Sequence, residues 1–279
     1  MNSSPHVTGL SIVIPNYNGA LLLPAIILPA KVAAEETGLP YEIIIVDDCS
    51  TDHSAVLIKN EYPFVQLLQN EINAGFSPTI NKGIFVAQYS HVLLLNSDVK
   101  LTPDYFNHLF RYFEKDDTFG VMSRIVGWED DIIQDGAKYP SFHGVKIKTS
   151  GNYIPLEPAK EQWLYSMYLS GANAFIDRNK LIALQGFDEL FAPFYVEDYE
   201  LSMRAWRMGW KCYYDHTAVC RHQVSTSIKS NNKKKKINAV YNRNKMYLHA
   251  LHLSSGKRIL WFLQLIPEGI INLVTLKGN

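Results

Sequence analysis

Residues 10–15, LSIVIP, and residues 42–48, EIIIVDD, are short apolar runs rich in β-branched side chains, and each breaks off into polar residues. Continuous apolarity without alternation is the pattern of strands covered on both faces, as in a parallel sheet. Between the runs, residues 20–38 carry Leu, Ile and Ala at helical spacing and stop near Gly38-Leu39-Pro40. The three segments make a βαβ start. The cycle repeats with a helix expected over 54–60, a strand over 65–69, a helix over 77–87 and the strand HVLLL over 91–95. The expected fold class is therefore α/β, a Rossmann-like, mostly parallel, doubly wound sheet flanked by helices. Ligands of such sheets bind beyond the carboxyl ends of the strands, and Asn16, Asp47, Asp48, Asn96 and Asp98 gather at those ends.

Further along, periodicity weakens from Gly127 to Trp163, where loops and short strands are expected. Helices are expected over 179–186 and 198–209, the second with Leu201, Ala205 and Met208 on one face and Gly209 as its stop. A strand over 211–214 follows, with His222 just beyond it.

The chain has 279 residues, enough for one large α/β domain or two small ones, and its 47% hydrophobic, 12% aromatic and 19% charged residues lie in the globular range. Lys plus Arg and Asp plus Glu are 27 each, so no overall field favours a nucleic-acid partner. Cys49, Cys212 and Cys220 are too few for a disulfide framework and lack zinc-site spacing, which suits a reducing cytosol. The start, MNSSPHVTG, lacks the basic and apolar regions of a signal peptide, so a cytoplasmic location is expected. Residues 259–276 are strongly apolar, but Gln264, Pro267, Glu268 and Asn272 interrupt them below the length of a bilayer span. The basic run Lys233–Lys236 and residues 257–276, with Trp261 and Phe262, fit a peripheral attachment to the inner face of the membrane. They fit a solvated loop and an ordinary packed helix equally well. The end at Lys277-Gly278-Asn279 reads as either native or truncated.

The chemistry is carried by a few constellations, each with a plain structural alternative. Two adjacent acids, Asp47 and Asp48, leave a buried strand in VDDCSTD; capping explains Ser50, Thr51 or Asp52, whereas the acid pair suits a nucleobase or a ribose hydroxyl. The loop Pro15-Asn16-Tyr17-Asn18-Gly19 holds no Gly-rich phosphate cradle, so a diphosphate ligand would need a cation for charge balance. Asn96-Ser97-Asp98 ends the strand HVLLL, and Asp98 is placed to hold a hard cation such as manganese or magnesium; an Asx-turn is the bland reading. Asn73-Ala74-Gly75-Phe76 and Asn81-Lys82-Gly83 combine a flexible turn with a polar helix face, and Lys82 is open to a phosphate contact or to solvent. Gly186-Phe187-Asp188-Glu189 and Glu197-Asp198-Tyr199-Glu200 concentrate acids beside Phe191, Phe194, Tyr195 and Trp206. An enclosed carboxylate there suits a general base, and acids at a helix N-terminus are the alternative.

Taken together, IVIPNYN, VDDCSTD, the N-A-G-F and N-K-G segments, LLLNSDV, GFDELF and VEDYELSMRAWRMGW resemble family 2 glycosyltransferases over about residues 10–250. The N-S-D form is most similar to the rhamnosyltransferase-like branch. The resemblance implies a GT-A fold over residues 1–255, with a nucleotide-sugar-binding half at about 10–125 and an acceptor and catalytic half at about 126–255, followed by an amphipathic segment over 256–279. It implies donor contacts from Pro15, Asn16, Tyr17, Asp47 or Asp48, Asn73, Gly75, Asn81, Lys82, Asn96 and Ser97. It puts a divalent cation, manganese or magnesium, on Asp98 and His222, and it puts the base at Asp198 of the Glu197-Asp198 pair. Asn96 departs from the family's first DxD acid, which leaves the base and sugar of the donor open.

The expected activity is inverting, metal-dependent transfer of a hexosyl or deoxyhexosyl unit from a UDP- or dTDP-sugar to a glycan or lipid-linked hydroxyl, in cell-surface polysaccharide or glycolipid synthesis. The Gln-x-x-Arg-Trp motif of processive synthases is absent, so one sugar is expected per encounter. The competing readings are a non-catalytic nucleotide-sugar binder and a sugar nucleotidyltransferase.

Overall fold

The computed structural model describes residues 8–155, 157, 163–223 and 234–276. Four parallel strands build its first half: β1 (Leu10–Asn16), β2 (Tyr41–Asp47), β3 (Val65–Gln69) and β4 (His91–Leu95). Helices α1 (Leu23–Glu35), α2 (Ser54–Glu61) and α3 (Phe76–Val86) connect them. Side-chain alternation explains why both faces are covered. Leu10, Ile12, Ile14, Ile43, Ile45, Leu93 and Leu95 enter one core with Ile26 of α1 and Ile58 of α2. Their neighbours Val13, Ile44, Val46, Val92 and Leu94 enter a second core with Ile80 and Ile84 of α3. The doubly wound expectation holds, with element ends within a few residues of those expected.

The strand order β3-β2-β1-β4 reverses direction of growth between β1 and β4. Their carboxyl ends, Asn16 and Leu95, therefore flank the crevice where a ligand can enter. Beyond β4 the sheet becomes mixed: β11 (Asn173–Asp177) runs antiparallel between β4 and β6 (Thr118–Gly127), and β12 (Lys211–His222) lies parallel to β6. Antiparallel β11 begins at the end where the parallel strands finish, so Ala172, which accepts from the Asn96 amide at 3.1 Å, joins the same rim. The short strands β5 (Val99–Leu101) and β10 (Leu164–Tyr165) pair with β12, and β7 (Ile133–Asp135) pairs with β6.

The described part of residues 127–163 holds loops and short strands as expected, among them a two-stranded hairpin of β8 (Ala137–His143) with β9 (Lys146–Tyr153), whose many polar positions weaken its periodicity. Two expectations are corrected. The strand expected over 211–214 runs on to His222 and carries that histidine, because β6 and β5 pair with its far end across a bulge between Asp215 and Val219. Helix α4 (Arg178–Ala183) follows β11 as expected, and in α5 (Glu197–Arg207) Leu201 and Ala205 are buried as expected, whereas Met208, the C-cap residue where the helical face ends, is 60% exposed.

A third core lies outside the sheet. Helices α6 (Lys234–His252) and α7 (Ser255–Leu276) pack Leu248 and Trp261, with Leu253 from the link between them, against Ile147 of β9, against Phe191 and against Tyr199 of α5. The basic run of the sequence begins at Lys233, outside the described residues, while Lys234–Lys236 open α6.

Gly83 lets α3 lie directly on the sheet, since a Cβ there would sit 2.3 Å from Val13 Cγ1 and 3.1 Å from Val46 Cγ2. Gly83→Ala gains intrinsic helix propensity yet overpacks this contact, so its net effect is a loss of about 1–3 kcal/mol, read as a lower midpoint in thermal or urea unfolding.

Candidate active site

A cavity of about 430 Å³ opens at the β1/β4 switch point. Pro15, Asn16 and Tyr17 from the end of β1 line one wall, and Asn96, Ser97 and Asp98 from the end of β4 line the next. Asp48, Asn73 and Gly75 close one side, and Glu197 and Asp198 the other. Eleven residues expected at the site from five separate segments thus meet in one cavity.

Asp48 organises its side of the cavity. Its carboxylate accepts from the amides of Ala74 at 2.8 Å and Gly75 at 2.9 Å and from Asn70 Nδ2 at 2.8 Å, folding the Asn73–Gly75 loop around itself. Asp47, its neighbour, does not line the cavity: strand alternation turns it under the rim, where it accepts from Asn16 Nδ2 at 2.7 Å and from the Ser50 hydroxyl. Asn81 and Lys82 are also directed elsewhere. Buried Asn81 exchanges hydrogen bonds with the Phe187 backbone, at 2.9 Å in each direction, and Lys82 Nζ donates to Gln69 O at 2.6 Å and to Asn70 Oδ1 at 3.2 Å. Both side chains leave α3 away from its N-terminal end, so they brace the Gly186–Phe187 turn and the end of β3 instead of reaching the rim.

Asp98 precedes β5, whose Val99 pairs with His222 of β12. This register brings His222 Nε2 to 3.6 Å from Asp98 Oδ2, although His222 itself is not part of the cavity lining. Gln134 Oε1 accepts a hydrogen bond from His222 Nδ1 at 2.7 Å, so in the neutral ring the Nε2 lone pair is the one that faces Asp98. Asp98 Oδ1 is buried with no hydrogen-bond partner. Among the described residues there is no cluster of three or more metal-binding side chains. An orphaned carboxylate oxygen beside a free imidazole lone pair fits a hard cation whose remaining ligands are phosphate and water oxygens.

The acids of the Gly186–Glu200 stretch separate by partner. Asp188 caps the Leu190 amide at 2.9 Å, and Glu200 pairs with Arg204 at 2.8 Å and with His252, so both serve the structure. Glu197 and Asp198 are different. Burial, then the neighbouring Asp198 charge, pushes the Glu197 carboxyl up to about 8, and Glu197 Oε2 has no hydrogen-bond partner. Burial also raises Asp198, which accepts from the amides of Tyr199 at 2.7 Å and Gly171 at 3.3 Å. Two charges side by side in this buried setting repel, so the pair favours one negative charge over two, and the amides of Tyr199 and Gly171 are in place to receive it on Asp198.

The backbone that aims this pair is strained. Tyr195 and Val196 have φ of 75° and 78°, a left-handed conformation costly for a β-branched residue. Buried Asn244 of α6 holds the turn by donating to the carbonyls of Phe191 at 2.6 Å, Phe194 at 3.1 Å and Tyr195 at 2.8 Å. Sequence reading missed Asn244, and it also missed the cavity-lining residues Phe76, Thr79, Ser170–Ala172, Pro193 and Lys236. A lone polar residue within a helix gives no signal, but the aromatic residues around 191–195 could have marked the turn.

A sequence profile described as glycosyl transferase family 2 matches residues 11–183, well over half of the chain. The chain belongs to that family. Among curated relatives, the amylovoran biosynthesis glycosyltransferase AmsB of Erwinia amylovora is 27% identical over 212 residues, covering 72% of this chain and 65% of its own. The undecaprenyl-phosphate 4-deoxy-4-formamido-L-arabinose transferase of Pectobacterium carotovorum subsp. carotovorum is 33% identical over 111 residues, 38% of this chain and 34% of its own. The chain thus spans less than two thirds of either relative. Among solved structures, GalNAc-T7 with UDP, GalNAc and Mn2+ superposes with a TM-score of 0.68 at 17% identity, over 89% of this chain and 48% of that one. S. aureus TarS 1-349 in complex with UDP-GlcNAc gives 0.62 at 15%, over 90% and 69%. These likenesses give this family 2 member the GT-A fold.

The raised Glu197 carboxyl has a thermodynamic consequence. Between its ordinary 4.5 and about 8 the folded chain keeps a proton that the unfolded chain releases, so this group's contribution to stability falls as pH rises through that window. Glu197→Gln removes the titration, and the melting temperature of the variant relative to wild type is expected to climb from pH 5 to pH 8 in thermal scans.

Proposed function

We propose that this family 2 chain transfers a single hexosyl or deoxyhexosyl unit from a nucleoside-diphosphate sugar to a hydroxyl of a glycan or lipid-linked acceptor, with inversion, in cell-surface polysaccharide or glycolipid synthesis. The observation that carries the reading is the placement of two functions on one cavity: the orphaned Asp98 oxygen near His222 on one wall and the buried Glu197-Asp198 pair on another. Asp198 takes the proton of the acceptor hydroxyl as that oxygen attacks the anomeric carbon, and the bond to the donor diphosphate breaks on the opposite side. Glu197, protonated at neutral pH, keeps a second charge away from the base. Asp98 and His222 would hold manganese or magnesium, which when bound supplies positive charge to the diphosphate.

Pro15, Asn16, Tyr17, Asn73, Gly75, Asn96 and Ser97 are proposed to contact the donor, with Asp48 shaping the nucleotide side. UDP- and dTDP-sugars are the favoured donors, UDP because it is the nucleotide bound by the GalNAc-T7 and TarS structures. A donor panel read by nucleotide release, with product configuration read by NMR, tests the reading. Asp198→Asn is expected to lower kcat by about 10²–10⁴-fold, and Glu197→Gln far less at neutral pH. The raised position of Asp198 sets the sign of the pH profile: turnover is full when Asp198 is ionised and is lost as pH falls through a midpoint above the ordinary carboxylate range of about 4. Full turnover by Asp198→Asn, or a product that retains configuration, rejects the assignment.

A peripheral location on the inner face of the membrane is part of the proposal. No helix of the described residues is long and apolar enough to cross a membrane. Helix α7 nevertheless turns Ile259, Leu260, Phe262, Leu263 and Ile266 outward, each more than half exposed, while Trp261 on its other side is buried against His249. With Lys257 and Arg258 at its start, this face suits an anionic bilayer surface. Replacing Phe262 and Leu263 by Ser is expected to reduce co-sedimentation with phosphatidylglycerol vesicles; sedimentation indifferent to that change removes the membrane contact.

A further inference from the structure

Four carboxylates, those of Asp48, Asp98, Glu197 and Asp198, belong to the cavity lining, and Lys236 is the one Lys or Arg among the described residues that joins them. A diphosphate entering this cavity meets few other positive groups. The amides of Ala74 and Gly75, just ahead of α3, are taken by Asp48, and the Phe76 amide by Pro193 O at 2.7 Å. A divalent cation on Asp98 offsets the carboxylate that holds it and only part of the diphosphate charge.

We infer that Lys236 is a donor-binding residue whose ammonium group meets the diphosphate of the nucleotide sugar and the charge that gathers there as the anomeric carbon–oxygen bond breaks. The inference rests on the glycosyl-transfer reading above. In that step the electron pair of the breaking bond goes to the phosphate oxygen, the acceptor proton goes to Asp198, and Lys236 stays protonated throughout.

Two features of the chain fit this role. Lys236 lies in the first turn of α6 with Lys234 and Lys235, and no acid occupies that turn, so the charges oppose the helix dipole and nothing in the fold of α6 calls for them. The helix itself is fixed against the wall of the cavity by Asn244, two turns further on, through the carbonyls of Phe191, Phe194 and Tyr195. Lys236 is exposed, so its replacement should leave folding intact.

The test is calorimetric titration of wild type, Lys236→Met, Lys236→Arg and Asp98→Ala with UDP, dTDP and GDP in manganese, beside turnover with the best donor. Lys236→Met is expected to weaken nucleoside-diphosphate binding about ten- to a hundredfold and to lower kcat, with unchanged melting temperature. Lys236→Arg should recover much of both, and the parent nucleoside should bind wild type and Lys236→Met alike. Lys236→Met binding and turnover within about twofold of wild type, while Asp98→Ala loses manganese-dependent binding, overturns the role of Lys236 and leaves the glycosyl-transfer reading standing. Wild type that binds none of the three nucleoside diphosphates overturns both.

Discussion

The amide of Phe76 donates to the carbonyl of Pro193 at 2.7 Å, and this contact joins the two halves of the site. It needs Gly75 twice over. The residue has φ of 88°, and a Cβ there would lie 2.6 Å from Pro193 Cα. On one side the Asp48 carboxylate holds the Asn73–Gly75 loop, and on the other Asn244 holds the Phe191–Tyr195 turn. Each holder is a buried side chain satisfied by backbone groups, so losing either would leave several polar groups unpaired away from water. The cavity is thus a clamp between two loops, each pinned from behind by its own buried side chain.

How far the sequence reveals this arrangement depends on the range of the interaction. β1 to β4 are legible because burial on both faces demands unbroken apolar runs, and the acids at their ends stand out against that background. The hairpin of β8 and β9 is illegible because Lys138, Ser141, His143 and Lys148 interrupt any apolar alternation. Asn81 looks like a ligand residue by type, yet its partner lies at Phe187, 106 positions away, and only the fold brings the two together. The same holds for His222. Its strand is extended by pairing with β5 and β6, so a local reading ends that strand too early.

Strain and charge are concentrated on one turn. Left-handed Tyr195 and Val196, both non-glycine, turn the chain so that Glu197 and Asp198 begin α5 facing the cavity. Burial raises both carboxyls and backbone amides partly offset it, those of Tyr199 and Gly171 for Asp198. Two adjacent carboxyls thus meet different partners, and of the two Glu197 keeps an oxygen with no hydrogen bond. The sequence shows the pair but not this asymmetry, which depends on Gly171 arriving from the start of β11.

The asparagine at position 96 becomes intelligible on the same electrostatic grounds. It is half-buried on a cavity that already carries four carboxylates and one lysine. An aspartate there would add another negative charge within the same enclosed space, next to Asp98, and raise the cost of admitting a diphosphate. An amide of the same shape keeps the hydrogen-bonding capacity for a sugar or ribose hydroxyl without that repulsion. In the proposed reaction the 96–98 turn then divides its labour: Asn96 would offer neutral recognition, and Asp98 a carboxylate whose unpartnered oxygen a cation can use.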